Sequence, residues 1–311
     1  MTEKGFIRKF PPLNIITEEN VNDIKAATFA IMKETGVTFQ SKKALDLFKK
    51  NGCLVDYDNS RVRFHESMVQ ECIRKCPNTF LVKARDPKKN LIVGGNYVHF
   101  ISGVGKQIVD LETWMPRTPT KKEHYDAVTI LDALENLDML SVYAPYFGFE
   151  GIESKFMILP EVLASKLRNS DKYTNYGYIS DSEIFSIKMA KVLDIDIGTY
   201  IAPTIPLAYN EAAINNAFRA ADSDLPIMIF CGGMGGADSP STLAGAIACG
   251  DATGLAVLVL IKLINPKNRI WSDCTTGTMN METGDPGVLI SASLGLAAHN
   301  QVMRSYGLPI R

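Results

Sequence analysis

From Thr120 onward the chain reads as an α/β fold of consecutive strand-helix units, and three observations predict it. Helical patterns of roughly ten to twenty residues alternate with apolar runs of roughly four to six, the spacing of βαβ units around a parallel sheet. The stretch Leu225-Pro-Ile-Met-Ile-Phe-Cys-Gly-Gly-Met-Gly-Gly-Ala-Asp-Ser-Pro240 holds one such unit: a strand over Pro226–Phe230, a turn with four glycines, and an apolar helix opened by Ser239-Pro240. Before Thr120 the rhythm is different. Small helices between short strands there predict an α+β cap over residues 1–119, ahead of an α/β domain over residues 120–311.

In the cap, Thr17 opens a helix that runs through Glu34, with Ile24, Phe29 and Ile31 as apolar positions and Gly36 as its stop. Ser41 opens a second helix, whose Ala44, Leu45, Leu47 and Phe48 form a stripe closed by Gly52. Cys53–Asp56 and Arg61–Phe64 flank the turn sequence Tyr57-Asp-Asn-Ser60 and predict a hairpin. A helix over Glu66–Lys75 stops at Pro77. Strand-like runs follow at Thr79–Ala84, Leu91–Val93, Tyr97–Ile101 and Gln107–Asp110.

The α/β region continues with helix Lys121–Leu134, strand Met139–Val142, helix Ser154–Arg168, strand Tyr173–Ile179, helix Ser182–Leu193 and strand Gly198–Ile201. Helix Asn210–Ala221, strand Pro226–Phe230, helix Pro240–Ile264, strand Arg269–Ser272 and helix Pro286–Tyr306 complete it. A closed (β/α)8 barrel needs eight strands, whereas an open doubly wound sheet is complete with five or six. No nucleotide fingerprint supports the open sheet. Gly103-Val-Gly105 precedes no helical pattern, and Gly232–Gly236 lacks the Lys-Ser/Thr of a P-loop.

Composition narrows the function classes. A net charge of -1 over 311 residues supplies no electrostatic reason to bind nucleic acid or an anionic membrane. The first residues lack the apolar core of a secretory leader, and Leu255–Ile261, the longest apolar run, is short for a bilayer span. A cytoplasmic protein without a membrane partner is expected. The six cysteines include no Cys-x-x-Cys pair, and none of the four histidines is spaced to complete a ligand set with Cys72 and Cys76. The thiols therefore read as small buried hydrophobes, with no metal site.

Several further stretches point to one family. They are Ala84-Arg-Asp-Pro87 with Gly94-Gly95, Val109-Asp-Leu-Glu112 with Arg117-Thr-Pro-Thr120, and Thr242-Leu-Ala-Gly245. Asn265-Pro266, Met281-Glu-Thr-Gly284 and Tyr306-Gly-Leu-Pro309 follow in the same order. With the glycine-rich turn, they make the chain resemble the trimethylamine methyltransferase family, corrinoid-dependent enzymes that take methyl groups from amines. The resemblance implies a TIM barrel, here incomplete with about five βα units. It implies transfer of a methyl group from trimethylamine or a related N-methylated amine to the Co(I) corrinoid of a partner protein. No Asp-x-His-x-x-Gly occurs in this chain, so the corrinoid is expected on the partner and no cofactor is expected to bind directly. A homo-oligomer is expected at full length. Chains of the family extend further, which implies coding beyond Arg311; there the founding trimethylamine enzymes carry a pyrrolysine, whereas relatives without it act on betaine-like compounds, and the resemblance leaves both open for this chain.

Reacting groups of a TIM barrel follow the carboxyl ends of its strands. That rule nominates Tyr143 after the first strand, Tyr178 after the second, Tyr200 at the third, and Trp271 and Asp273 after the fifth. A methylated ammonium is a diffuse cation with few hydrogen bonds to give. Aromatic faces bind it at roughly 0.5–2 kcal/mol per contact, and Asp273 would add a counter-charge. The same aromatic residues also suit packing against a cap. Gly232, Gly233, Gly235 and Gly236 fit either a backbone-lined loop near a ligand or a tight βα turn. Three departures from the family stand out, and no catalytic residue is assigned. Asp251-Ala252-Thr253 replaces Asn-Ala-Glu, Lys262 replaces a glutamine, and Asn280-Met281 replaces Asp-Met. Two other classes compete: a lyase or aldolase, for which no strand-end lysine is present, and a non-catalytic barrel fragment acting as a binding or assembly module. An interrupted barrel would also leave the Arg269–Ser272 strand as a bare edge.

Overall fold

A computed structural model describes residues 5–103, 105, 107–141, 155–179, 181–287 and 290–311. Its helices are α1 (Glu18–Ala30), α2 (Lys42–Lys50), α3 (Glu66–Arg74), α4 (Lys121–Ala133), α5 (Ile158–Asn169), α6 (Glu183–Leu193), α7 (Glu211–Asp222), α8 (Leu243–Ile264) and α9 (Ile290–Ser305). The longer strands beyond Thr120, with one short one, are β1 (Met139–Leu140), β2 (Tyr173–Tyr176), β3 (Gly198–Ile201), β4 (Ile227–Gly235) and β5 (Ile270–Met279); Pro286–Gly287, expected to open the last helix, instead pairs antiparallel with the end of β5. Local chemistry explains the helix starts. The hydroxyl of Thr17 accepts from the Asn20 amide, Thr120 and Glu123 form a reciprocal capping box, and Asn210 and Thr242 cap α7 and α8. Past α1, one π turn over Ile31–Thr35 ends at Gly36, whose φ of 77° suits glycine.

Two compact units emerge, each discontinuous in sequence: Met1–Lys9 with Thr79–Tyr200, and Phe10–Asn78 with Ile201–Arg311. Both cross the division expected at residue 120. The reason is pairing between distant segments. Val37–Phe39 runs parallel to Ala208–Tyr209, and Val21 and Ile24 of α1 share a core with Ile247 and Ala248 of α8 and Ala298 and Val302 of α9. The hairpin of Leu54–Asp56 and Arg61–Arg63 forms and extends that same four-stranded sheet.

In the first unit, β1, β2 and β3 pair in parallel, with Met139 opposite Tyr173 and Asn175 opposite Gly198. Gly198 has to be small, because a Cβ there would strike the Asn175 carboxamide and the Tyr173 hydroxyl. Behind the strands lies Lys166 of α5, a fully buried lysine. Its Nζ donates to the carbonyl of Ser141 at 2.8 Å and to that of Asn175 at 2.6 Å, tying the end of β1 to β2.

In the second unit, β4 and β5 run parallel from the pair Ile227–Ile270 to the pair Gly235–Thr278. Both strands outrun their expected ends at Phe230 and Ser272. The threonines 275, 276 and 278 are β-branched and keep β5 extended, and β4 follows because glycine amides still pair. Helix α8 has 22 residues and is apolar enough to cross a bilayer by length and composition, yet 89% of its apolar window is buried in the protein. Lys262 near its end donates to the carbonyls of Asn268 at 2.6 Å, Lys75 at 3.1 Å and Pro266 at 3.2 Å, so it closes the end of α3 onto the loop before β5.

The edge of β5 is not bare. Beyond α9, Gly307 at φ 77° turns the chain back. The Ser272 amide then donates to Pro309 and the Arg311 amide to Ser272, both at 2.8 Å, which starts a further parallel pairing.

Lys166 generates a pH prediction. Burial lowers its amine from 10.5 to about 7. Between those values the unfolded chain holds the proton and the folded chain does not, so stability rises with pH across that window and is lost as pH falls through about 7. Lys166→Met should remove that slope and leave two carbonyls unpaired, at about 1–3 kcal/mol each. Urea titrations at pH 7 and pH 10 check this; an unchanged slope would assign the pH dependence elsewhere.

Candidate functional site

Strand β5 sorts its side chains onto two faces. Thr276 points toward the helices, its Oγ1 lying 2.6 Å from Nδ1 of His299 on α9. Trp271, Asp273 and Thr275 therefore occupy the opposite face, in register with Met228, Phe230 and Gly232 of β4. Trp271 is the second residue of the strand and only 4% exposed, so it lies at the amino end of β5 and not beyond its carboxyl end. Asp273 sits two residues further on, also inside the strand. Its Oδ2 meets Nη1 of Arg311 at 3.2 Å, so its counter-ion in this structure is a side chain of the same unit. Burial raises the Asp273 carboxyl above the ordinary range, and the Arg311 guanidinium acts against that rise.

The glycine segment also differs from its expectation as a loop. Gly232, Gly233 and Gly235 belong to β4, and only Gly236, at φ 86°, is in the turn. A Cβ at 232 would strike the Thr275 carbonyl, and one at 233 would strike the Ser239 hydroxyl. The chain folds back just after: Asp238 accepts from the Met234 amide at 2.5 Å, and the Gly236 amide donates to Ser239 at 3.0 Å. Close approach of the protein's own backbone at 232 and side chains at 233, with the positive φ at 236, is thus reason enough for glycine there. Tyr178 stands two residues past β2 and Tyr200 within β3, both half-buried and both in the first unit. Tyr143 lies outside the described residues.

A buried polar chain escaped the sequence reading. His299 Nε2 lies 2.7 Å from Oδ1 of Asp251 on α8, and with Nε2 protonated the imidazole donates to the carboxylate while Nδ1 accepts from Thr276. All three residues are buried, and Oδ2 of Asp251 has no partner among the described residues. Burial raises the Asp251 carboxyl, His299 opposes that rise, and the nearby Cys231 and Cys274 thiols are pushed well above their usual range. The one acid in a largely apolar helix was the available signal, since such a group needs a partner.

Comparison with known proteins settles the family. The family model described as trimethylamine methyltransferase (MTTB) matches residues 1–311. The chain belongs to this family. It is 25% identical over 314 residues to glycine betaine methyltransferase of Desulfitobacterium hafniense strain Y51, covering 97% of this chain and 64% of that protein. It is likewise 25% identical over 315 residues to trimethylamine methyltransferase MttB of Methanosarcina thermophila, covering 96% and 64%. The chain thus spans just under two thirds of these relatives. Among solved structures, the monomethylamine methyltransferase MtmB of Methanosarcina barkeri aligns with a TM-score of 0.55 at 12% identity, over 94% of this chain and 64% of that one. That likeness supports the α/β fold.

Asp251 yields a second prediction. A carboxyl raised by burial contributes stability that is complete below its unfolded value near 3.8 and is lost as pH rises through the folded value. Asp251→Asn keeps an acceptor for His299 and should flatten this acid-side dependence. Asp251→Ala, by contrast, strands the imidazole and should cost about 3 kcal/mol. Denaturation from pH 4 to pH 8 compares them; equal losses in both variants would rule out the charge as the source.

Proposed function

We propose that the chain forms part of a methyltransferase, a partial TIM barrel that presents an N-methylated ammonium compound to the Co(I) corrinoid of a separate protein. Family membership over the whole chain is the observation that carries this reading. In the reaction the methyl carbon–nitrogen bond breaks, the nitrogen keeps the electron pair and leaves as an amine, and the methyl group passes to the acceptor. This chain's share is to bind and orient the cation away from water. Asp273 is proposed to supply negative charge and Trp271, in the same unit, an aromatic face.

The pairing of Asp273 with Arg311 favours one kind of substrate. A zwitterion with an ammonium at one end and a carboxylate at the other offers each side chain a new partner when their own ion pair opens. Glycine betaine, named in one relative, has that form.

Calorimetry on the 311-residue chain, with glycine betaine and tetramethylammonium as ligands, tests this. Trp271→Ala should weaken both by about 1–2 kcal/mol, whereas Phe at that position retains most of the affinity. Asp273→Asn should weaken both ligands, and Arg311→Ala should weaken glycine betaine alone. Unchanged affinities in all three variants would show that the cation binds elsewhere.

A further inference from the structure

We propose that the hairpin tip around Trp114 docks into the groove between α5 and α6 of a second copy of this chain. The tip is built by the short strands Ile108–Val109 and Pro116–Arg117, which pair antiparallel. It is rigid. Asp110 Oδ1 accepts from the amides of Glu112 at 3.1 Å and Thr113 at 2.9 Å and from the Thr113 hydroxyl at 3.0 Å, and the Trp114 amide donates to the Asp110 carbonyl at 2.8 Å. Arg117 anchors the base through Glu123 at 2.7 Å, the same glutamate that closes the capping box of α4.

This frame holds apolar side chains out to water. Leu111 is 80% exposed, Trp114 75% and Met115 65%. Trp114 also has a φ of 57°, the left-handed region that bulky side chains rarely occupy. A strained tryptophan gains nothing from its own fold when it stays in solvent, so the conformation fits a contact made elsewhere.

The groove has the complementary character. Its volume is about 620 Å³, and Met157, Leu167, Phe185, Met189 and Val192 supply apolar walls. Arg168 and Lys188 line it against one acid, Glu161, and Arg85 lines it already paired with Asp171 at 2.7 Å. The tip brings the opposite sign at Glu112, beside Leu111, while Asp110 is taken up by the tip's own amides and by Arg117 at 3.5 Å. An acidic, apolar projection and a cationic, apolar groove on the same polypeptide make a second copy the matched occupant. Such a contact is head-to-tail, so it propagates unless rotation closes a ring.

Sedimentation velocity of the 311-residue chain across a concentration series tests this, with Trp114→Ser and Val192→Asp as tip and groove variants. Position 192 is 84% exposed, so neither substitution disturbs a core, and Leu111→Asp provides a second tip variant. The wild type should associate, and each variant alone should associate at least tenfold more weakly. An equal mixture of Trp114→Ser and Val192→Asp should form 1:1 pairs that grow no further, because one intact tip meets one intact groove. Trp271, the other of the two tryptophans, is buried, so the red edge of the emission reports Trp114 and should shift to the blue on association. A wild type that stays monomeric, variants that associate like the wild type, or a mixture that stays monomeric would each overturn the proposal, as would loss of association in the groove variant alone.

Discussion

The second unit depends on how closely α8 can lie against β4. A Cβ at Gly250 would come within 2.6 Å of the Gly232 amide, and one at Gly254 would strike the Cys231 thiol. Two glycines on the helix face and one on the strand let backbone approach backbone there. That contact buries α8 along almost its whole length and places its other faces against α1 and α9. Protein interiors relax only partly around an added methyl, so this spacing constrains every element packed on the helix.

Burying a helix so completely forces its polar residues to find partners inside. Lys262 meets three carbonyls, and Asp251 meets His299, which in turn reaches Thr276 on β5. Lys166 does the same work in the first unit, between β1 and β2. Each of these groups is costly to desolvate and strongly directional once paired. They fix helices against strands at defined registers, where apolar contacts alone would leave more latitude. The orientation of Asp273 and Thr275 on the opposite face of β5 follows from the side on which Thr276 is held.

Much of the organisation was legible in the residues. Most helix positions from α1 to α8 followed from caps, stripes and glycine stops, and β1 to β5 began near short apolar runs, whereas Pro286–Gly287, expected to open the last helix, pairs with β5. The ends of β4 and β5 were not legible. Gly232–Gly235 and Thr275–Thr278 look like loop by composition, and they are extended because each supplies the ladder for the other. That shift moved Trp271 and Asp273 from beyond a strand to within one. It also gave Asp273 a partner, Arg311, that is 38 positions away in sequence.

The amino-acid sequence by itself determined the family, the alternation of strands and helices, and the residue types available for binding a cation. These are local properties: periodicity, capping chemistry and short ordered motifs survive without knowledge of neighbours. Tertiary structure alone decided which glycines answer to the protein's own backbone, which acid is paired, and how the chain divides into compact units. Those outcomes rest on contacts between segments far apart in sequence, such as Val37–Phe39 with Ala208–Tyr209 and Asp251 with His299. Burial and pairing are set by what surrounds a side chain in space, and no local pattern carries that information.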